Sequence, residues 1–322
     1  MADNRKAVAI PVLSEDPNGR KNNEKKSREA ESQKMTEEDE RIKNQVEVLV
    51  TRAADSDSNV AGAAIRQLEE LLLTNTGGSV ASVPKPLKYV RSMYAQLERI
   101  QKETSDPANA MRLHDILSFV AMTIEFPDGR RAALEHKLQG TQDDLEQWGH
   151  EYLRYLSGCI SAEWKERTSK GEPVDHLSNF VQQIVVYMVA HQDEPTAIDL
   201  LMEVEDMSAI ISHVTKDNHR RIANYLAAAS KYLTRPMDTA ALKVVYNIYL
   251  EVGSYTEAVS VALQLGDRSL VETLFQKCQN PSMRLQMALT CAHFSYLWML
   301  VTRRTGSLTK PWAIWGFHGC IV

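Results

Sequence analysis

His150 and Glu151 are the residues of this sequence that come closest to a metal-dependent hydrolase motif. In the H-E-x-x-H motif, two histidines on one helix face bind zinc and the glutamate acts as general base. Arg154 stands where the second histidine is needed, so we expect His150 to lie at the side or edge of an amphipathic helix. Cys159 is also no nucleophile for His150, because nine residues of helix separate them by about 13 Å. We interpret Cys159 as a small core residue.

The segment TNTGGS (74–79) contains glycines, as phosphate-binding loops do. A P-loop needs G-x-x-x-x-G-K-[ST] between a strand and a helix, and neither the lysine nor the strand is present. The carboxylate pairs Glu37-Glu38 and Asp143-Asp144 lie at predicted helix starts, where acidic side chains complement the helix dipole. Because no catalytic constellation remains, we expect no enzyme activity, no cofactor and no bound metal.

Composition and charge exclude several classes of protein. The chain has 322 residues, of which 43% are hydrophobic and 25% are charged, with a net charge of −5. A sizeable core can form, but electrostatic capture of nucleic acid is not expected. Four cysteines without a C-x-x-C pair indicate free thiols in a reducing compartment. The longest apolar run, near 294–301, is far shorter than the ~20 residues of a membrane span. We therefore expect a protein of the cytoplasm and nucleus that binds neither nucleic acid nor membrane.

Residues 1–35 are polar and mixed in charge, and the first aromatic residue of the chain is Tyr89. A segment with so few apolar anchors cannot offset the entropy lost on ordering, so we predict a disordered tail. Its basic cluster between Arg20 and Arg28 could be a nuclear import signal. Acidic residues interleave the bases, which favours a solvated tail instead.

Apolar residues recur at steps of three and four from Thr36 to Trp164, which predicts amphipathic helices. Thr36 with Asp39, and Thr141 with Asp144, have the spacing of capping boxes at helix starts. The pattern predicts helices that begin near 36 and near 59, and further helices over 87–101, 113–124 and 145–164.

From residue 175 the predicted helices come in pairs of similar length joined by short loops, which is typical of an α-solenoid. Gly253 stands where a helix C-cap glycine belongs, and no alternating strand pattern with hairpin turns occurs. We therefore predict an all-α fold, an irregular α-solenoid or helical-repeat array with a disordered N-terminal tail. The predicted divisions are the tail (1–35), an N-terminal helical domain (36–170), a helical-hairpin repeat region (171–292) and an atypical tail (293–322).

A short basic group is one candidate for contact with a partner protein. Lys85, Lys88 and Arg91 follow a loop that contains prolines and could bind an acidic partner. A solvated basic edge is an equally good interpretation of the same residues.

An aromatic group on the helix predicted over 145–164 is the other candidate. We interpret Trp148 and Tyr152, on the apolar stripe of that helix, as part of the core. Tyr155 and Trp164 are candidate partner-contact residues, with a place in the core as the alternative.

Several segments resemble one protein family. They are SVPKPLKYVRSMYAQL (82–97), DILSFVAMTI (115–124), QGTQDDLEQWGHEYLRYLSGCISAEW (139–164), AIDLLMEVEDM (197–207) and YTEAVSVALQLGDRSLVETLFQKC (255–278). They are similar to the family of the 26S proteasome non-ATPase regulatory subunit 2, one of two large scaffold subunits in the base of the regulatory particle. The resemblance covers about Thr36 to Met287.

The resemblance implies a non-catalytic scaffold that acts in ubiquitin-dependent protein degradation. It implies partners among the proteasome ATPase-ring subunits and other regulatory-particle subunits. Family members also dock ubiquitin receptors, through a ring of glycine- and alanine-rich repeats that this sequence lacks, so no such site is assigned to any residue here.

The resemblance ends near Cys291, and residues 293–322 do not look like the family continuing. We expect a chain that is truncated relative to the family, with the alternative of a genuine species-specific tail. We also expect the helical array to end near Met287–Ala292. The alternative function is a free-standing helical-repeat adaptor that binds a peptide or a partner helix.

Overall fold

The structure is a computed structural model that describes residues 37–74, 85–127, 129–142 and 144–305, with side chains through Phe294. These residues form fourteen α-helices and two 3₁₀ helices, and no strand occurs among them. The predicted all-α class is confirmed. The tail predicted over 1–35 and the glycine-containing segment from 75 to 84 lie outside the described residues.

The first half of the chain contains seven α-helices and one 3₁₀ helix. They are α1 (Glu37–Ala53), α2 (Ser58–Leu73), α3 (Lys85–Ser92), α4 (Tyr94–Glu103), α5 (Pro107–Ala121), α6 (Ala132–Gln139), the 3₁₀ helix Leu145–Trp148 and α7 (His150–Lys170).

The second half contains seven further α-helices. They are α8 (Asp175–Ala190), α9 (Glu194–Glu203), α10 (His219–Ala229), α11 (Met237–Val252), α12 (Tyr255–Leu265), α13 (Arg268–Lys277) and α14 (Pro281–Thr305), with the 3₁₀ helix Met207–His213 before α10.

Packing between helices follows chain order, as expected of a helical array. α1 packs on α2, α5 on α6, α8 on α9, α10 on α11, and α12 on α11, α13 and α14. The inward residues form one continuous hydrophobic core from Val46 to Cys291. Because each helix buries its apolar stripe mainly against its neighbours, the array resembles the helical-repeat architecture that the sequence predicts.

The helix boundaries have local causes. Asp57 and Asp106 cap α2 and α5, and each side chain accepts a hydrogen bond from the backbone N–H two residues on. Such caps satisfy N–H groups that the helix itself leaves unpaired. At the other end of α11, Gly253 adopts the left-handed conformation with φ of 81°. The predicted C-cap glycine is therefore confirmed.

The single helix predicted over 87–101 is wrong, because α3 and α4 are separate helices that meet at Met93. The hydroxyl of Ser92 donates to the carbonyl of Tyr89 at 2.7 Å. A serine side chain that bonds the preceding turn offers the backbone an alternative to the helical hydrogen-bond ladder, and here the contact lies at the C-terminal end of α3.

The capping box predicted for Thr141 and Asp144 is also wrong. Both the backbone N–H and the hydroxyl of Thr141 donate to the carboxylate of Asp115, and Asp144 lies in the left-handed region with φ of 55°. The chain first makes the 3₁₀ helix and then turns at Gly149, so α7 begins five residues later than predicted. Thr36, the other predicted cap, lies outside the described residues.

Helix α14 extends beyond the predicted end of the array. It runs to Thr305, whereas the predicted end was Met287–Ala292. No glycine or proline occurs between Ser282 and Thr305, so the sequence contains no residue that would stop the helix earlier. The proposed boundary at residue 292 therefore falls inside a helix. Residues 306–322 lie outside the part of the chain that the structure describes.

Candidate interaction surfaces and a buried polar network

The predicted basic group lies on the outer face of α3. Lys85, Lys88 and Arg91 are all exposed, while Leu87 and Val90 on the same helix are buried. A helix turns by about 100° per residue, so steps of three place the cations along one exposed face.

One of these cations has an acidic neighbour on another helix. The ammonium of Lys85 lies 3.4 Å from a carboxylate oxygen of Glu38 on α1, and both side chains are well exposed. An exposed ion pair of this kind contributes little to stability. Lys85 can therefore exchange Glu38 for an acidic partner at low cost.

The predicted aromatic contacts do not form one surface. Tyr155 is 39% exposed, whereas Trp164 is half-buried and packs against the core. Nine residues of helix turn through about 900°, so the two rings point to opposite sides of α7. Tyr155 stays a candidate for partner contact, and Trp164 is shared between the core and the surface.

The other two rings of the aromatic group are buried, as predicted. Trp148 and Tyr152 are each 1% exposed, and they pack with Phe119 of α5 at centroid distances of 5.2–6.1 Å. Trp148 lies in the 3₁₀ helix, so the prediction that placed it on the long helix is wrong in detail. Its indole N–H is the one buried side-chain group among the described residues without a hydrogen-bond partner.

A buried ion pair lies beside this aromatic cluster. The ammonium of Lys137 on α6 donates to Asp115 on α5 at 2.7 Å, and each side chain is 1% exposed. Asp115 also accepts from the hydroxyl of Thr141 at 2.6 Å and from its backbone N–H at 3.2 Å. The carboxylate therefore ties α5 to α6 and to the segment that leads into the 3₁₀ helix.

Gly140 makes room for that carboxylate. A Cβ atom at this position would overlap the Asp115 carboxylate, so a glycine is needed for the close approach. Local sequence patterns could not predict this contact, because Asp115 and Gly140 are separated by a complete helix.

A second polar network joins α4, α5 and α6. Nδ1 of His114 lies 3.0 Å from Nδ1 of His136. Nε2 of His114 is 2.9 Å from the amide nitrogen of Gln101, and Nε2 of His136 is 3.0 Å from the hydroxyl of Tyr94. Glu98 lies beside these hydrogen bonds, with a carboxylate oxygen 3.8 Å from Nε2 of His136.

Burial perturbs the titration of this network. It lowers the pKa of His136 to about 4, with the neighbouring His114 ring as the second cause. It also lowers the pKa of His114. Burial, followed by the charge of Glu98, raises the pKa of Tyr94. Both imidazoles are therefore neutral at pH 7.

The motif that suggested zinc chemistry has a structural role instead. His150 is the first residue of α7, and its Nε2 lies 3.1 Å from a carboxylate oxygen of Asp193 at the start of α9. Within the described ranges there is no group of three or more metal-ligating side chains. Cys159 is half-buried against the core, and burial raises the pKa of its thiol, which is unfavourable for a nucleophile.

Two exposed features were missed by sequence reasoning. Helix α10 ends at Ala229, so Tyr232 lies in a turn and is 89% exposed. Leu285 and Leu289, one turn apart on α14, are 64% and 63% exposed. The only sequence signal for the first is the nearby Arg235-Pro236 pair, since a proline favours a turn rather than a continuing helix.

The family model of the RPN1 N-terminal domain matches residues 46–305. The chain belongs to this family. The match includes α14, so the RPN1 N-terminal domain extends further along the chain than the resemblance noted at Thr36–Met287.

Curated relatives agree with this assignment. The chain is 38% identical over 242 residues to the 26S proteasome non-ATPase regulatory subunit 2 homolog A of Arabidopsis thaliana, covering 75% of this chain and 27% of the relative. It is 35% identical to the 26S proteasome non-ATPase regulatory subunit 2 of Dictyostelium discoideum, over 78% of this chain and 28% of the relative. It is 33% identical to the 26S proteasome regulatory subunit rpn1 of Schizosaccharomyces pombe, over 79% of this chain and 28% of the relative. The chain thus spans little more than a quarter of the length of these relatives.

None of the helices described between residues 37 and 305 is long and apolar enough to cross a membrane.

Proposed function

We propose that this chain is a non-catalytic scaffold segment of the 26S proteasome regulatory particle, acting in ubiquitin-dependent protein degradation. The observation that carries the proposal is the family match across residues 46–305. Relatives that align with most of the chain are named as non-ATPase regulatory subunits. A scaffold of this kind works by holding other proteins, and it needs no reacting group of its own.

The interior chemistry of the array supports a structural role. At two places in its interior, polar side chains of different helices pair with each other: Asp115 with Lys137, and His114 with His136. Groups committed to such contacts hold helices in place and are not presented to a substrate. A rigid array with a continuous core offers a long outer surface for partners.

We assign the partners to the class of proteasome ATPase-ring subunits and other regulatory-particle subunits, in the cytoplasm and the nucleus. The candidate contacts are the basic face of α3 and two aromatic side chains on opposite sides of α7. Lys85, Lys88 and Arg91 fit an acidic surface, because three exposed cations on one helix face attract carboxylates. Tyr155 and Trp164 are the aromatic candidates, since aromatic side chains are enriched in interfaces.

Affinity purification tests the function. The tagged chain, expressed in cells with assembled proteasomes, is expected to bring down ATPase-ring subunits in reproducible stoichiometry. A free-standing adaptor would instead bring down an unrelated partner and no ATPase subunit. Recovery of no ATPase subunit, from a chain that is folded by circular dichroism, would contradict the proposal.

A matched pair of variants tests the contact residues separately. Charge reversal of Lys85, Lys88 and Arg91 to glutamate is expected to reduce ATPase recovery, because it places carboxylates against an acidic surface. The control reverses three exposed lysines elsewhere to glutamate, with the same change in net charge. These control lysines are Lys216, Lys243 and Lys277. Equal recovery with both variants would remove α3 from the interface while leaving the scaffold function standing.

A further inference from the structure

The contact between His114 and His136 holds a single proton. A hydrogen bond between two imidazole nitrogens needs one donor and one acceptor, and here both nitrogens are Nδ1 atoms, 3.0 Å apart. The pair therefore consists of one ring protonated at Nδ1 and one ring with a free lone pair there. Two neutral imidazoles meet this requirement and two imidazolium ions cannot.

The contacts at the two ends of this series of hydrogen bonds decide which side chain donates in each bond. The amide nitrogen of Gln101 donates to Nε2 of His114, so His114 carries its proton on Nδ1 and donates to His136. His136 then carries its proton on Nε2 and donates to the Tyr94 hydroxyl, which is hydrogen-bonded in turn to Glu98. These tautomers are assigned from the network. If the Gln101 amide is turned over, every bond reverses and one proton still lies between the rings.

Acid adds protons that this arrangement cannot accommodate. A first extra proton requires the Gln101 amide to turn over and leaves a buried positive charge. A second would set two N–H groups face to face across 3.0 Å. The series of hydrogen bonds spans three helices, since Gln101 lies on α4, His114 on α5 and His136 on α6. Breaking it therefore releases contacts between those helices.

Charged neighbours on the surrounding elements do not rescue the imidazolium form. Glu98 on α4 favours it, while Arg130 before α6 and Lys102 on α4 oppose it. Arg130 also donates to Glu98 at 3.1 Å. The negative charge of Glu98 is therefore already balanced by a cation. The remaining charges are Asp115 on α5, which is held by Lys137 of α6, and Glu135 on α6.

We propose that His114 and His136 form an acid-sensitive latch. It holds α4 against α5 and α6 while both rings are neutral, and proton uptake opens it. The latch makes the N-terminal part of the array loosen on acidification, independently of which partners the chain binds.

The sign and size of the effect follow from linkage. The unfolded chain takes up protons near pH 6.5 and the folded chain only near pH 4 at His136. Opening therefore becomes more favourable as pH falls from about 6.5 to 4, and the effect is complete below that range. His136 alone increases the local opening constant roughly 20-fold between pH 7 and pH 5.

Hydrogen exchange on the full chain measures this opening. After correction for intrinsic exchange rates, α4 amides are expected to open roughly 20-fold more often at pH 5 than at pH 7. Amides of α12, which lies far along the chain from the latch, serve as the internal control. His136→Gln should lose most of the pH dependence in α4, and His176→Gln, at an exposed position, should keep it. Unchanged pH dependence in His136→Gln would overturn the proposal.

Imidazole nitrogen NMR on the unmodified chain keeps the test decisive if a variant fails to fold. The expected spectrum shows two neutral rings of opposite tautomer at pH 7, with His136 still neutral at pH 5.5. A normal titration near pH 6.5 for both rings, or identical tautomers, would overturn the latch.

Discussion

Replacing Lys137 with methionine should destabilise the protein more than any change on its surface. The two side chains have similar length and volume, so the substitution removes the positive charge with little change in packing. Asp115 is left as a carboxylate that is 1% exposed and has lost its only cationic partner among the contacts the structure describes. Its remaining donors are the hydroxyl and the backbone N–H of Thr141.

The expected loss in the free energy of unfolding is about 3–5 kcal/mol, the usual cost of leaving one charge of a buried pair without its partner. The two hydrogen bonds from Thr141 to the carboxylate are present before and after the substitution, so they do not offset that cost. Adding Asp115→Asn to Lys137→Met should restore a large part of the stability. The amide is neutral and can still accept from Thr141.

Urea denaturation followed by far-ultraviolet circular dichroism compares these proteins. Lys43→Met is the matched control, since Lys43 pairs with Glu47 at 3.9 Å on the surface of α1 and the two side chains are about half exposed. The control should lose no more than about 0.5 kcal/mol. A loss below about 1 kcal/mol for Lys137→Met would refute the account of a desolvated pair, and so would a double variant less stable than the single one.

Three further outcomes are expected. Trp148→Ala should cost about 3–5 kcal/mol, measured as a fall in melting temperature, because a large buried ring is lost from the core; an unchanged melting temperature would show that the ring faces solvent. Gly140→Ala should cost about 1–3 kcal/mol in urea denaturation, because the new methyl group overlaps Asp115. The isolated chain should self-associate in sedimentation velocity, and Leu285→Lys with Leu289→Lys should reduce the association, since those side chains form an exposed apolar stripe; a monomeric wild type would contradict this.

Local periodicity was enough to predict most of the helices and their buried faces. Val46, Leu49 and Val50 lie at steps of three and four on the first predicted helix and are buried. Leu113 and Leu117 lie at such a step in the helix predicted over 113–124 and are also buried. In these segments the apolar stripe alone decides which face is covered.

Contacts between distant residues explain what the sequence could not show. Thr141 has the spacing of a helix cap, but its hydroxyl and its backbone N–H donate to Asp115 instead. Asp115 lies on α5, and the whole of α6 separates it from Thr141 in the sequence. The same holds for His114 and His136, which are brought together only when α5 and α6 pack. A one-dimensional pattern identifies such residues as polar positions and does not identify their partners.

For the surface candidates, too, the sequence predicted some features of the structure and could not predict others. The exposure of Lys85, Lys88 and Arg91 agrees with the predicted basic face, and their role as partner contacts stays a prediction. Tyr155 and Trp164 were candidate contacts on the same predicted helix, and they lie on opposite sides of α7. Tyr232 stands out only in the structure, because α10 ends at Ala229 and leaves the residue in an exposed turn.

Direct binding to purified proteasome ATPase-ring subunits tests the central claim. The chain is immobilised and the ATPase subunits are titrated over it, with the glutamate variant of Lys85, Lys88 and Arg91 measured alongside. The scaffold account predicts saturable binding by the unmodified chain, weaker binding by the variant, and a decline with rising salt because charged surfaces meet. No binding by a chain that circular dichroism shows to be folded would contradict the claim that this helical array is a scaffold of the regulatory particle.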